Sequence, residues 1–229
     1  MTNTISNSPR AYVGTWAKYN DGDLSGRWMD LDDYADYDEF MEAALKLHSD
    51  EEDPEIMIQD TDNLPEWMKE NFINEYGING DVVWDYVNLD EDDRELIDGY
   101  VSTTGFHYVK NMTMDEILDE ARDAHVGTVS TTFRDWIIDF FIDCNGGMRA
   151  IDVINNHSSW IDYESVAMTL DNEGYFVDEE DEAEMDIAIR ERCQTLNDMY
   201  EESWLDWNKI ESDMKTEYIK ADNGYVFRK

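Results

Sequence analysis

Basic side chains are what this sequence has least of. Seventeen Lys and Arg stand against 56 Asp and Glu, a formal net charge of -39. So negative a chain is repelled by nucleic acid and by anionic lipid, both polyanions, so neither is expected as a partner. Long apolar runs are missing as well: no window approaches 18 consecutive apolar residues, which argues against a membrane-spanning helix. The start, MTNTISNSPRAYVG, has neither the basic nor the apolar region of a secretory signal, so a soluble cytoplasmic protein is expected. Only two cysteines occur, Cys144 and Cys193, without metal or redox spacing, so reduced thiols are expected.

The chemical motifs of enzymes are also missing. The four histidines, His48, His107, His125 and His157, form no HxxxH or HExxH pair. There is no GxGxxG, no Walker loop and no GxSxG. Asp21, Asp23, Ser25 and Asp32 approximate a calcium loop, but their flanks read as strands where an EF-hand needs helices. Carboxylate pairs are so abundant that they point to no particular acid-base chemistry. No catalytic residue, no cofactor and no site-specific metal is therefore expected.

What is present is enough apolar material to fold. Hydrophobic residues make up 41% of the chain and aromatics 13%, with eight Trp, too apolar for a disordered acidic tail. The acids do not form a tail: 27 lie in the first 100 residues and 29 in the rest. Met29 to Glu66 holds fifteen acids and one base, Lys46, including Asp30, Asp32, Asp33, Asp36, Asp38, Glu39, Asp50, Glu51, Glu52 and Asp53. Asp90 to Asp98 holds six around Arg94, among them Asp90, Glu91, Asp92, Asp93 and Glu95. A third run brings Asp178, Glu179, Glu180, Asp181, Glu182, Glu184 and Asp186 together without a base, and Asp115, Glu116, Asp119 and Glu120 form a further helical patch.

One such run is ordinarily a solvated helix face. Several on one chain raise the free energy of the compact state through self-repulsion, so something must favour keeping them. Two explanations compete: adaptation to molar salt, or imitation of a polyanion. Duplex DNA carries one charge per about 1.7 Å, so 39 excess charges match about 66 Å of duplex, near two helical turns.

The pattern predicts an α+β fold. Residues 11–16 and 24–31 read as strands joined by a turn at Asn20, Asp21 and Gly22, and 56–60 reads as a third. Asp36 and Glu39 predict a capping box for a helix through Leu47. This gives a small antiparallel sheet with one helix, residues 1–62. Residues 63–125 read as a helical bundle. Its first helix is capped by Asn63 with a stripe of Trp67, Met68, Phe72, Ile73 and Tyr76. Helices over 81–88 and from Asp90 to Gly105 follow, then one opened by Thr113 and Glu116. Residues 126–229 read as a C-terminal α+β domain with one apolar helix, Thr132 to Cys144. A weak repeat relates Ser159-Trp160-Ile161-Asp162-Tyr163 to Ser203-Trp204-Leu205-Asp206-Trp207, each leading through a helix to a short strand, 174–177 and 224–227.

The block Ala11-Tyr12-Val13-Gly14-Thr15-Trp16-Ala17-Lys18-Tyr19-Asn20, with Leu24-Ser25-Gly26-Arg27-Trp28-Met29-Asp30-Leu31, resembles the ArdA family of antirestriction proteins. Ile58-Gln59-Asp60 with Leu64-Pro65, the stretch Leu89 to Glu95 with Tyr100, and Trp204 to Phe227 continue the likeness in order. The resemblance implies an elongated, curved homodimer of small domains, of phage or mobile-element origin, whose surface carboxylates imitate the phosphates of bent B-DNA. Its implied partner is the DNA-binding cleft of a type I restriction-modification enzyme in a bacterial host. The chain exceeds a typical member between about residues 127 and 204, where an insertion or a partial duplication would fit. Other positively charged partners, a different defence complex or a nucleoid protein, share the same electrostatics.

The two readings of the charge separate on folding. A salt-adapted protein unfolds when salt is removed, whereas a polyanion mimic should keep its circular-dichroism spectrum in dilute buffer; loss of helical signal there would favour salt adaptation.

Overall fold

The computed structural model describes residues 8–129, 131–143, 148–175 and 181–229. The fold is α+β, and the chain forms two compact units, Met1–Asp123 and Ala124–Lys229.

In the first unit, β1 (Arg10–Thr15) lies between β2 (Arg27–Asp30) and β3 (Ile56–Asp62), antiparallel to both. Alternation along β1 buries Ala11 and Val13 and leaves Arg10 and Tyr12 on the other face. A bulge opposite Tyr12 and Val13 leaves Gln59 as the extra residue of β3, because Tyr12 pairs with Asp60 and Val13 with Ile58. The expected strand at 11–16 ends one residue early. Thr15 accepts a hydrogen bond from the Lys18 amide and so starts a short helix, α1 (Trp16–Asn20), where a simple turn was expected. β2 accordingly begins at Arg27 rather than Leu24.

Helix α2 (Tyr37–Leu47) starts at Asp36, whose carboxylate accepts from the Glu39 amide, while Glu39 reaches back to the amide of Ala35 rather than Asp36. Its Phe40 is fully buried, with its ring against Tyr34, Tyr37 and Trp84. Helix α3 (Glu66–Phe72) is shorter than expected. Asn63 does not cap it but sits at φ 56°, and Pro65 occupies the cap position. Ile73 and Tyr76 leave the helix for a two-residue hairpin, β4 (Ile73–Asn74) and β5 (Gly77–Ile78). Next come α4 (Gly80–Val87), α5 (Glu91–Thr104), α6 (Phe106–Val109) and α7 (Met114–Ala124). A Cβ at Gly80 would lie 2.3 Å from Tyr37 Cβ, so glycine sets the close approach of α4 to α2. The Thr113–Glu116 capping box forms, and Met114, Ile117, Leu118 and Ala121 are buried as expected.

The second unit contains a sheet that the sequence showed only at its last strand. β8 (Tyr225–Arg228) pairs antiparallel with β6 (His125–Thr128) and β7 (Tyr218–Lys220). Helix α8 (Phe133–Ile137) opens on a Thr132–Asp135 capping box and widens into a π-helical turn over Ile138–Asp143, so the expected single helix changes pitch; Cys144 lies outside the described residues. Trp136 stacks between Phe133 and Phe140, with ring centroids 5.3 and 5.0 Å away. The remaining helices are α9 (Ala150–Asn156), α10 (Tyr163–Asn172), α11 (Glu182–Arg192), α12 (Leu196–Glu201) and α13 (Trp207–Glu217).

The two repeated pentapeptides pair with each other. Ile161 and Leu205 form an antiparallel bridge, with Asp162 N donating to Trp204 O at 2.9 Å and Asp206 N to Trp160 O at 2.8 Å. Asp162 caps α10 and Asp206 caps α13. Each indole donates to the helix opened by the other copy: Trp160 to Asp213 at 2.9 Å and Trp204 to Thr169 at 3.2 Å. A second bridge, Arg149 with Thr195, joins the starts of α9 and α12. The two segments around Ile161 and Leu205 thus pair reciprocally. The strand expected after the first copy falls partly outside the described residues, at 176–177, and Tyr175 is not in a strand.

Trp204 is fully buried at this junction. Trp204→Ala should destabilise the second unit by about 3–5 kcal/mol. Urea unfolding read by circular dichroism checks this; a loss below about 1 kcal/mol would show that the bridge does not organise the core.

Candidate functional site

Carboxylates dominate the surface, and the fold sorts them into distinct environments. In the first run Asp32, Asp33, Asp36, Asp38 and Glu39 are exposed and Asp30, at the end of β2, is half-buried. Glu52 and Asp53 are exposed, while Asp50 and Glu51 turn towards Lys18, at 2.9 and 3.3 Å. In the second run Asp90 caps α5, and Glu91, Asp92 and Glu95 are exposed on it. Asp93 accepts from Arg122 of α7 at 2.8 and 2.9 Å. Asp115, Glu116, Asp119 and Glu120 are all exposed on α7. In the second unit Asp181 caps α11, with Glu182 and Glu184 exposed in its first turn; Asp178, Glu179 and Glu180 lie outside the described residues.

Tertiary packing joins runs that are separate in sequence. A groove of about 600 Å³ is lined by Asp36 and Asp38 at the start of α2 and by Asp81 and Asp85 of α4, together with Tyr37 and Trp84 and, among the described residues, no Lys or Arg. A neighbouring groove of about 270 Å³ shares Asp85 and Asn88 and adds Asp115 at the start of α7. Five carboxylates from three helices thus line two neighbouring depressions, with no base among the described residues that line them. Such a surface attracts cations and accepts charge-assisted hydrogen bonds from guanidinium and ammonium groups. Asp81 and Asp85 were absent from the sequence-level candidates, although they stand four apart on one face of α4, opposite the buried Val83 and Val87.

A third cleft, of about 380 Å³, behaves differently. Asp32, Glu91, Glu95 and Asp98 line it together with Arg94, and Arg94 reaches Asp32 at 3.7 Å. Asp98 belongs to the second run in sequence but turns inward, accepting hydrogen bonds from Trp67 Nε1 of α3 at 3.2 Å and from Tyr86 OH of α4 at 2.8 Å. Burial pushes its carboxyl up to about 6, against the two hydrogen bonds and the nearby Arg94, which favour the charged form. Burial and the Asp98 charge together push the Tyr86 phenol upward. Asp98 therefore ties three helices together rather than adding to the outer charge.

A sequence model of the antirestriction protein (ArdA) family matches residues 11–227, nearly the whole chain. The chain belongs to the ArdA family of antirestriction proteins. No curated protein and no solved structure matches it. No helix among the described residues is long and apolar enough to cross a membrane.

Asp98 carries a pH signature of defined sign. Its folded value lies above the unfolded one of 3.8, so its stabilising contribution is complete below about pH 4 and is lost as pH rises through about 6. Asp98→Asn should flatten the stability profile of the first unit between those limits, by up to about 3 kcal/mol. Urea unfolding across that range checks it; a variant profile parallel to that of the parent would contradict the assignment.

Proposed function

We propose that this chain, as an ArdA protein, protects DNA by occupying the DNA-binding cleft of a type I restriction-modification enzyme as a mimic of B-DNA. The supporting observation is the pair of neighbouring grooves in which Asp36, Asp38, Asp81, Asp85 and Asp115 stand together with no base among the described residues that line them, on a chain of net charge -39. Lys and Arg side chains that normally hold DNA phosphates would pair with these carboxylates, and condensed counterions would leave both surfaces. The rest of the acidic surface extends the field: Asp30, Asp32, Asp33, Glu39, Glu52, Asp53, Asp90, Glu91, Asp92, Glu95, Glu116, Asp119, Glu120, Asp181, Glu182 and Glu184. Asp32 of these, like Asp50, Glu51 and Asp93, contributes less, since each is already paired with a base. We further propose that the active form is a homodimer working in the cytoplasm of a bacterial host and that it carries out no catalysis.

The grooves make the proposal testable residue by residue. Replacing Asp36, Asp38, Asp81 and Asp85 by Asn together should raise the concentration needed to protect unmodified DNA from type I cleavage by at least about tenfold. A single replacement among the exposed acids of α7 should change it little, because a distributed field is redundant. Full protection by a folded fourfold variant would remove the grooves from the interface. Full cleavage at every concentration of the folded wild-type protein would remove type I enzymes as the target.

A further inference from the structure

His48 is strongly buried, 3% exposed, at the end of α2. Its Nε2 lies 3.4 Å from the carbonyl of Val13, and its Nδ1 lies 3.1 Å from Lys18 Nζ. An ammonium can only donate, so towards Lys18 it is the Nδ1 lone pair that accepts, while Nε2 faces the Val13 carbonyl. The same ammonium is 2.9 Å from Asp50 and 3.3 Å from Glu51, and Glu51 also accepts from the fully buried Thr15 hydroxyl at 2.7 Å. Ligand atoms of His48, Asp50 and Glu51 lie within 4.8 Å of one another. These three donors therefore already surround one cation, the tethered ammonium of Lys18.

We propose that this locus is an exchangeable site for a divalent transition metal such as Zn²⁺, which displaces Lys18 and binds His48 Nδ1 with the carboxylates of Asp50 and Glu51. The donor chemistry argues for it. A neutral imidazole whose other nitrogen faces a backbone carbonyl is the usual arrangement of a metal-bound histidine, and one nitrogen with two carboxylates suits Zn²⁺ or Co²⁺ better than Ca²⁺ or Mg²⁺. Charge argues the same way. Two carboxylates balance a divalent ion, whereas Lys18 neutralises only one of them. The exchange needs no proton transfer: Lys18 leaves as an ammonium, and its flexible stem already keeps part of the side chain in contact with solvent. The donors must close in by about 1 Å to reach metal–ligand distances near 2.0–2.2 Å, a movement open to Asp50 and Glu51, which lie beyond the end of α2. The imidazole sets this locus apart from the many carboxylates that attract cations only diffusely.

Titration of the full chain with Co²⁺, followed by visible absorption, tests the proposal independently of any antirestriction activity. The expected result is one ion per chain with ligand-field bands that survive excess Mg²⁺ and disappear on addition of Zn²⁺. Lys18→Met removes the competing ammonium and should tighten binding by about tenfold or more, a gain that loss of structure could not produce. Asp50→Asn combined with Glu51→Gln, both near the surface, should abolish the bands while the helical signal persists. Bands no stronger than those of aqueous Co²⁺, bands erased by Mg²⁺, or bands unchanged in the Asp50/Glu51 variant would each overturn the proposal.

Discussion

Self-repulsion of the carboxylates is the constraint on which the rest of this structure depends. A chain with 56 acids and 17 bases stays compact only if apolar burial outweighs the mutual repulsion of the surface. The fold meets this by dividing the chain into two units with dense aromatic cores, one around Phe40 and Trp84, the other around Trp136, Trp160 and Trp204. Several of its bases join elements distant in sequence, while Lys69, Arg149, Lys209 and Lys215 pair with acids three or four residues away. Arg10 holds Asp62 of β3 while lying over Trp28 of β2, Arg94 reaches Asp32, Arg122 reaches Asp93, and Arg134 reaches Glu211. Arg192 pairs with Glu173 and lies over Trp204. At Arg10, Arg134 and Arg192 a cation and an aromatic ring fix the junction together.

Helix starts were legible because the signal is local. Asp36, Asp90 and the Thr113–Glu116 pair cap where the sequence places them, since a side chain accepting from an amide three residues on needs no distant partner. Elements that depend on a distant partner were not legible. β6 is four residues long, and only pairing with β8, about a hundred residues away, makes it a strand; β7, three residues long, pairs with β8 across a short turn and is too brief to show alternation. The β4–β5 hairpin carries Ile73 and Tyr76 at a spacing that also suits a helix, so periodicity cannot separate the two. Thr15 ends β1 by capping α1, a competition between strand and cap that alternation alone does not reveal.

The acidic surface was legible as composition but not as shape. Runs of Asp and Glu mark exposed faces, and most of those described are exposed. The grooves arise only when α2, α4 and α7 come together, which recruits Asp81 and Asp85 from a stretch with no dense run. The opposite error is Asp98, which reads as one more acid of a charged helix yet turns inward between Trp67 and Tyr86. The repeat around Trp160 and Trp204 was visible as five residues; its reciprocal pairing belongs to the folded chain alone.

The central claim is that carboxylates here stand in for phosphates. The most direct test is equilibrium competition between this protein and labelled duplex for a purified type I restriction-modification enzyme, measured as a function of salt. A mimic should displace the duplex stoichiometrically, with an affinity that falls linearly in log–log form against salt, as it does for DNA itself. A duplex that stays bound at saturating protein, or displacement insensitive to salt, would contradict the account.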